Sequence, residues 1–426
     1  MKNNKFINEL LSFIEESTSS FTCVQKIKKE LLENGFIELY EQDKWTSIPN
    51  KFFVTRNEGS IIAIEIPKEK TNAFKIITTH CDTPSLLLKP NGAYTKEGYL
   101  KYNIMPYGGI LNYGWLDHPL SLSGRVLIKE KNQLKSKIID TKEPLLIVPS
   151  VAIHQNDKAN TNLDLNMQTD LQPILSLSDI ESDFKELIYP YTKGNVIDFD
   201  LYAYNGAKPV LIGKNKEILV SPRIDNLTSV YSALQSFTNS TSDKIKILCS
   251  FNHEEIGSLT EEGADSNFLL DILKRIAATL NIDIASSLSS SMIISSDNTH
   301  AVHPNHEEYA DNTGKAYLGK GFTIIRESTT TTNGLSSSII KTICKKNRVK
   351  YQDATSKNDL AGGSTLSGIS LRHVSILSAD IGIAQLSMHS SIETCSIKDV
   401  LELYKIMKTF YQTKFDLKKE NIIFYD

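Results

Sequence analysis

The chain has 426 residues, with 47 Lys and Arg against 50 Asp and Glu and a formal charge of −3. Its 40% hydrophobic and 23% charged residues are too apolar for global disorder, and the near balance of charge argues against nucleic acid as the main partner, because phosphate binding needs a basic surplus on some face. No window reaches the roughly 18 apolar residues of a membrane span, and five scattered cysteines without a Cys-x-x-Cys pair exclude a disulfide scaffold or zinc finger.

Residues 1–20 interleave charges with apolar positions, so no signal peptide is expected and the chain is expected to be cytoplasmic. Taken in order, the first 35 residues read as two amphipathic helices, with Ile7, Leu10, Leu11 and Ile14, then Val24, Ile27 and Leu31 at helical spacing, ending at Gly35. Strand-like runs follow at 52–55, 60–67 and 73–82; the last is an apolar run suited to a strand covered on both faces. From about 90 to 220, short strands crowd together at 124–130, 134–140, 144–149 and 199–205, with a hairpin at 209–221. Alternation of helix and strand then returns: helix 226–237 and strand 244–252, helix 266–280 and strand 289–298, helix 335–347 and strand 349–354, and a buried strand at 372–381. This order predicts an α/β domain split in sequence, residues 1–90 and 220–426, around a β-rich domain of residues 91–219.

Several predicted strands of the split domain end in acids or histidines: His80 and Asp82, Asp225, Glu254 and Glu255, Asp297, and His389. In an open α/β sheet the carboxyl ends of the strands share one edge, where ligands bind. Imidazoles mixed with carboxylates suit zinc or a similar divalent ion. Adjacent side chains at a strand end point apart, so one glutamate of the Glu254–Glu255 pair can hold metal while the other takes a proton from water. Each residue also has a plainer reading. A lone histidine at a strand end commonly packs or caps, paired glutamates commonly face solvent, and Asp225 can begin a helix. Coincidence of five such sites on one edge is what favours a metal hydrolase. No G-x-S-x-G elbow and no H-E-x-x-H helix is present.

These residues sit in longer runs that resemble the M18 metallopeptidases, the aspartyl aminopeptidase family among the co-catalytic dizinc exopeptidases. The runs include THCDTPSLLLKP at 79–90, PYGGILNYGWLDHPLSLSGRV at 106–126, VPSVAIH at 148–154, VSPRIDN at 220–226, FNHEEIGS at 251–258, SSDNTHAVHPNH at 295–306 and IAQLSMHSSIE at 383–393. The resemblance implies a largely parallel sheet sandwiched by helices, with residues 91–219 as a dimerisation domain. It implies two divalent ions per subunit, zinc with cobalt or manganese as alternatives. His80, Asp225 and Asp297 would hold one ion; Asp225, Glu255 and His389 the other. Glu254 would be the general base and acid, and Asp82 would orient His80. His154 would reach the active site of a neighbouring subunit, and His300 would support the site or contact substrate. The implied activity is removal of one N-terminal residue from peptides, by dimers assembled into a tetrahedral dodecamer.

Selectivity for an N-terminal Asp or Glu is less well carried by the residues. Ile325 stands where family members selective for acidic residues often have a lysine, Arg326 follows it, the stretch ESTTTTNG is unusual, and Gly362 replaces a common cysteine. Arg326 is the one cation left to pair a substrate carboxylate. The alternatives are the same enzyme with neutral or broad specificity, and an inactive metal-stabilised assembly scaffold.

Overall fold

A computed structural model describes residues 2–177, 184–360, 366–419 and 421–425; Gly362 lies outside them. A nine-stranded mixed sheet organises the chain. Its four central strands, Ile245–Phe251, Phe74–His80, Met292–Ser296 and Leu377–Gly382, run parallel and adjacent in that order. Every residue of Phe74–His80 and Ile245–Phe251 is buried, as a strand covered on both faces requires. Successive side chains serve opposite faces. Ile77 and Leu248 pack beneath helices 2–16, 20–33, 224–238, 334–347 and 397–412, whereas Ile76 and Ile247 pack beneath helix 268–280. The amino ends of two strands carry lysines. Lys75 donates to Asp243 and to the carbonyls of Tyr411 and Thr413, and Lys246 pairs with Glu65. The basic groups thus lie at the opposite ends of these strands from the acids.

Residues between 85 and 205 form a second, seven-stranded antiparallel sheet that closes on itself, because Asn195–Asn205 pairs with both Ser85–Lys96 and Pro119–Glu130. The long hairpin Ser85–Lys96 and Tyr99–Tyr107 is absent from the sequence expectation. A bulge between Leu88 and Ala93, together with Pro90, breaks the alternation that would have revealed it. Of the expected strand 144–149 only Leu146–Ile147 pairs, since the flanking prolines have no N–H to give. The predicted strand 372–381 begins only at Leu377.

One expectation is corrected. The hairpin of 209–221 does not join the β-rich sheet: Val210–Ile212 and Ile218–Ser221 continue into Glu393–Ser396, Ala384–Leu386 and Thr299–His300 as a five-stranded sheet beside the carboxyl edge of the large one. Ile218–Ser221 is bound there by register with Glu393–Ser396, a segment too distant in sequence for local pattern to show. Among the described residues no helix is long and apolar enough to cross a membrane.

Candidate metal centre

Three adjacent strands of the parallel set, Ile245–Phe251, Phe74–His80 and Met292–Ser296, deliver acids and one imidazole at one edge. His80 ends its strand, Asp297 follows Ser296, and Glu254 and Glu255 open a short 3₁₀ turn after Phe251. Asp225 arrives from the five-stranded sheet, at a helix start whose residues 225 and 226 are non-helical and joined by a cis peptide bond. His389 comes from the loop between Ala384–Leu386 and Glu393–Ser396, with a left-handed backbone (φ 66°). The Glu393 carboxylate fixes both late arrivals. Its Oε1 accepts the His389 N–H at 2.9 Å and its Oε2 accepts the Asp225 N–H at 3.0 Å.

The geometry is that of two overlapping triads. His80 Nε2 lies 3.2 Å from Asp297 Oδ1 and 3.4 Å from Asp225 Oδ1. His389 Nε2 lies 3.5 Å from Glu255 Oε2 and 3.6 Å from Asp225 Oδ2. Asp225 thus turns one oxygen to each imidazole. Two ligands about 2.0–2.1 Å from a tetrahedral zinc stand roughly 3.3 Å apart, so these spacings fit an ion in each triad. Asp225 Oδ1 and Glu255 Oε1 are buried without a hydrogen-bond donor, a costly state for a carboxylate unless a cation takes the lone pairs. An oxygen of Glu254 lies within 4.8 Å of ligand atoms of His80 and Glu255.

Electrostatics report the same deficit of positive charge. Burial works against a charged His80, yet Asp297 with the hydrogen bonds of Asp225, Asp297 and Asp82 holds its pKa well above the ordinary value. His389, also opposed by burial, is driven up to about 10 by Asp225 and Glu255. Burial pushes Glu254 up to about 8 and Glu255 well above the usual carboxylate range, while Asp225, despite burial, is held low by the two histidines. Protons gather on a site crowded with carboxylates, and a bound cation would displace them.

Braces surround the cluster. His80 Nδ1 lies 3.1 Å from the Asp82 carbonyl and 3.5 Å from its Oδ1, so the backbone of Asp82 is the nearer partner. The Asp82 carboxylate accepts the Tyr107 hydroxyl at 2.8 Å and the Glu255 N–H at 3.1 Å. His389 Nδ1 donates to the Gly109 carbonyl at 2.6 Å, and the Leu111 N–H donates to the His389 carbonyl at 3.0 Å. Asn298 donates its backbone N–H to Asp297 Oδ1 at 2.8 Å and its side-chain amide to Gln385 at 2.8 Å. Sequence reasoning gave no role to Tyr107, Gly109, Asn298, Gln385 or Glu393. Tyr107 and Gly109 lie in the PYGG run, which was noticed only as part of a resemblance.

The cluster opens into a cavity of about 300 Å³ that His300, Ile325, Glu327, Ser356 and Met388 also line. Arg326 is exposed and does not line it, although both its neighbours do. Alternation continued beyond strand Phe322–Ile325 puts Arg326 on the other side of the chain from Ile325 and Glu327. His154 is exposed in the turn-rich segment around 150–170 and does not line the cavity of its own chain.

Parallel strands that bring acids and imidazoles together at their carboxyl edge suit a metal-dependent hydrolase. The family model for the aminopeptidase I zinc metalloproteases (M18) matches residues 13–411, and the chain belongs to that family of metallo-aminopeptidases. It is 40% identical over 433 residues to the "Probable M18 family aminopeptidase 2" of Clostridium novyi (strain NT), covering 96% of this chain and 100% of that one. Among solved structures it is similar to a chain in the cryo-EM structure of the Ape4 and Nbr1 complex, at 30% identity and a TM-score of 0.92, covering 96% of this chain and 86% of that chain. It is similar also to mApe1 of Chaetomium thermophilum, at 26% identity and a TM-score of 0.85, covering 96% and 97%.

Proposed function

We propose that the chain holds two zinc ions, one between His80, Asp225 and Asp297 and one between Asp225, Glu255 and His389, and removes single residues from the N-termini of peptides. The observation that carries this reading is Asp225, whose two oxygens face two different imidazoles at 3.4 and 3.6 Å. Cobalt or manganese would suit the same donors. Bound ions supply Lewis-acid polarisation of the scissile carbonyl and a lowered pKa for the attacking water. Glu254 takes the proton of that water and returns it to the leaving amine. Asp82 and Gly109 orient His80 and His389 through their second ring nitrogens.

Residues 91–219 serve self-association in this reading, as dimers built into a tetrahedral dodecamer, with His154 completing the site of a neighbouring subunit. Support comes from the exposed apolar side chains beside it: Val151, Ile153 and Leu163 are 59%, 49% and 48% exposed, an arrangement that marks interaction surfaces. As for specificity, no lysine or arginine among the described residues lines the cavity, and burying a carboxylate without a paired cation is unfavourable. Selection for an N-terminal Asp or Glu is therefore the less supported reading. The test strips the protein of metal and titrates zinc, cobalt or manganese back while following an aminoacyl anilide. Activity should saturate at two equivalents per chain with zinc. Failure to hydrolyse any aminoacyl anilide with metal restored would refute the reading.

A further inference from the structure

We propose that Glu327 makes the cavity beside the metal cluster a subsite for a cationic side chain, so that the preferred peptides begin with lysine or arginine. This rests on the aminopeptidase reading and adds the substrate class to it.

The charges around the cavity lead to it. Asp225, Glu254, Glu255 and Asp297 bring four negative charges to the cluster, and two doubly charged ions would cancel them. Asp82 stays behind His80, buried and held by the Tyr107 hydroxyl and the Glu255 N–H. Glu327 is then a lining carboxylate with no cation assigned to it. Among the described residues it forms no ion pair, and neither a lysine nor an arginine faces the cavity. Its backbone is pinned by a local turn, in which the Glu327 N–H donates to Thr330 Oγ1 at 2.8 Å and the Thr330 hydroxyl donates to the Glu327 carbonyl at 3.0 Å. The unusual ESTTTTNG run therefore has a structural role: its threonine holds the acid at the cavity wall.

The rest of the wall suits the stem of such a side chain. Ile325, two residues before Glu327 and on the same side of the chain, is 3% exposed, and Met388, just before His389 in the ligand loop, also lines the cavity. Lysine and arginine lay their methylenes along apolar surface and keep the charged head beside a polar partner. Methionine adapts to stems of different shape. Seated here, an N-terminal aspartate or glutamate would meet Glu327 as a like charge, with Arg326 facing away, and the repulsion would disfavour it.

The experiment measures kcat/KM for Lys-, Arg-, Leu-, Asp- and Glu-anilides on the zinc-restored protein, with Glu327→Gln, Glu327→Lys and Arg326→Gln beside it. Calorimetric binding of lysinamide and of aspartic acid α-amide gives a readout independent of turnover. The basic substrates should exceed the acidic ones by at least about tenfold, the scale of one favourable pair replacing one like-charge contact. Glu327→Gln should reduce that ratio at least about fivefold, and Glu327→Lys should invert it. Arg326→Gln should leave it within about twofold. Lysinamide should bind more tightly than the acidic amide, and Glu327→Gln should erase the difference. Acidic substrates as fast as basic ones, or a ratio that neither Glu327 variant moves, overturns the proposal. If no anilide is hydrolysed, the aminopeptidase reading fails by itself; the calorimetric difference and its loss in Glu327→Gln then decide the subsite.

Discussion

The carboxyl edge of the large sheet and the 150–170 segment of the closed sheet both gather histidine, aspartate and asparagine, and they end in opposite states. At the edge, strands pinned by register and the short segments that follow them deliver the side chains, and a second layer of Tyr107, Gly109, Asn298 and Glu393 fixes them. The polar groups there are buried and short of positive charge. In the 150–170 segment the backbone makes turns alone, and His154 and its apolar neighbours Val151, Ile153 and Leu163 are exposed. Polar residues become a site where backbone and burial fix them. The segment has the residues without the second surface, and a neighbouring subunit is what would supply one.

The comparison breaks most severely at the shared carboxylate. Asp225→Asn should lose zinc from both triads and lower turnover by at least about 10³-fold, since metal assistance and acid–base catalysis fail together; metal analysis with anilide kinetics reads both. On the other side of the contrast, His154→Ala should keep two zinc ions and lower kcat by about 10²-fold, the scale of losing one donor to a developing oxyanion. An unchanged kcat would leave the segment without a catalytic part. A smaller loss is expected where the two regions touch. Tyr107→Phe removes the hydroxyl held by Asp82 and should weaken zinc binding by about 10-fold or somewhat more, seen as a shifted competition curve against a chelator. Least disturbing to the fold is Ile153→Asp, at a side chain 49% exposed. Its unfolding midpoint should correspond to a change within about 0.5 kcal/mol, while sedimentation shows smaller species than the parent. An assembly of unchanged size would mean that this apolar surface joins no subunits.

The sequence made the edge legible and its support largely invisible. His80, Asp297 and the glutamate pair each close an apolar run, so strand pattern alone exposes them. Asp225 and His389 are exposed by the same pattern, and the resemblance is what divides all of these residues between two ions and a base. Glu393 and Gln385 show no such signal, because they act on residues brought near by register in a sheet whose partners lie far apart in the chain. The hairpin at 85–107 was hidden by its bulge and prolines, and the 209–221 hairpin was assigned to the wrong sheet for want of its distant partner. Arg326 and Glu327 teach the same lesson at one residue's resolution. The resemblance pointed to the cation beside Ile325, whereas strand alternation gave the cavity the acid.

The most direct test of the central claim is the zinc content and anilide turnover of Glu254→Gln, measured on one preparation beside the parent. Two zinc ions per chain with turnover reduced by about 10²–10⁴-fold is the predicted result. Turnover equal to the parent's, with both ions in place, would contradict it.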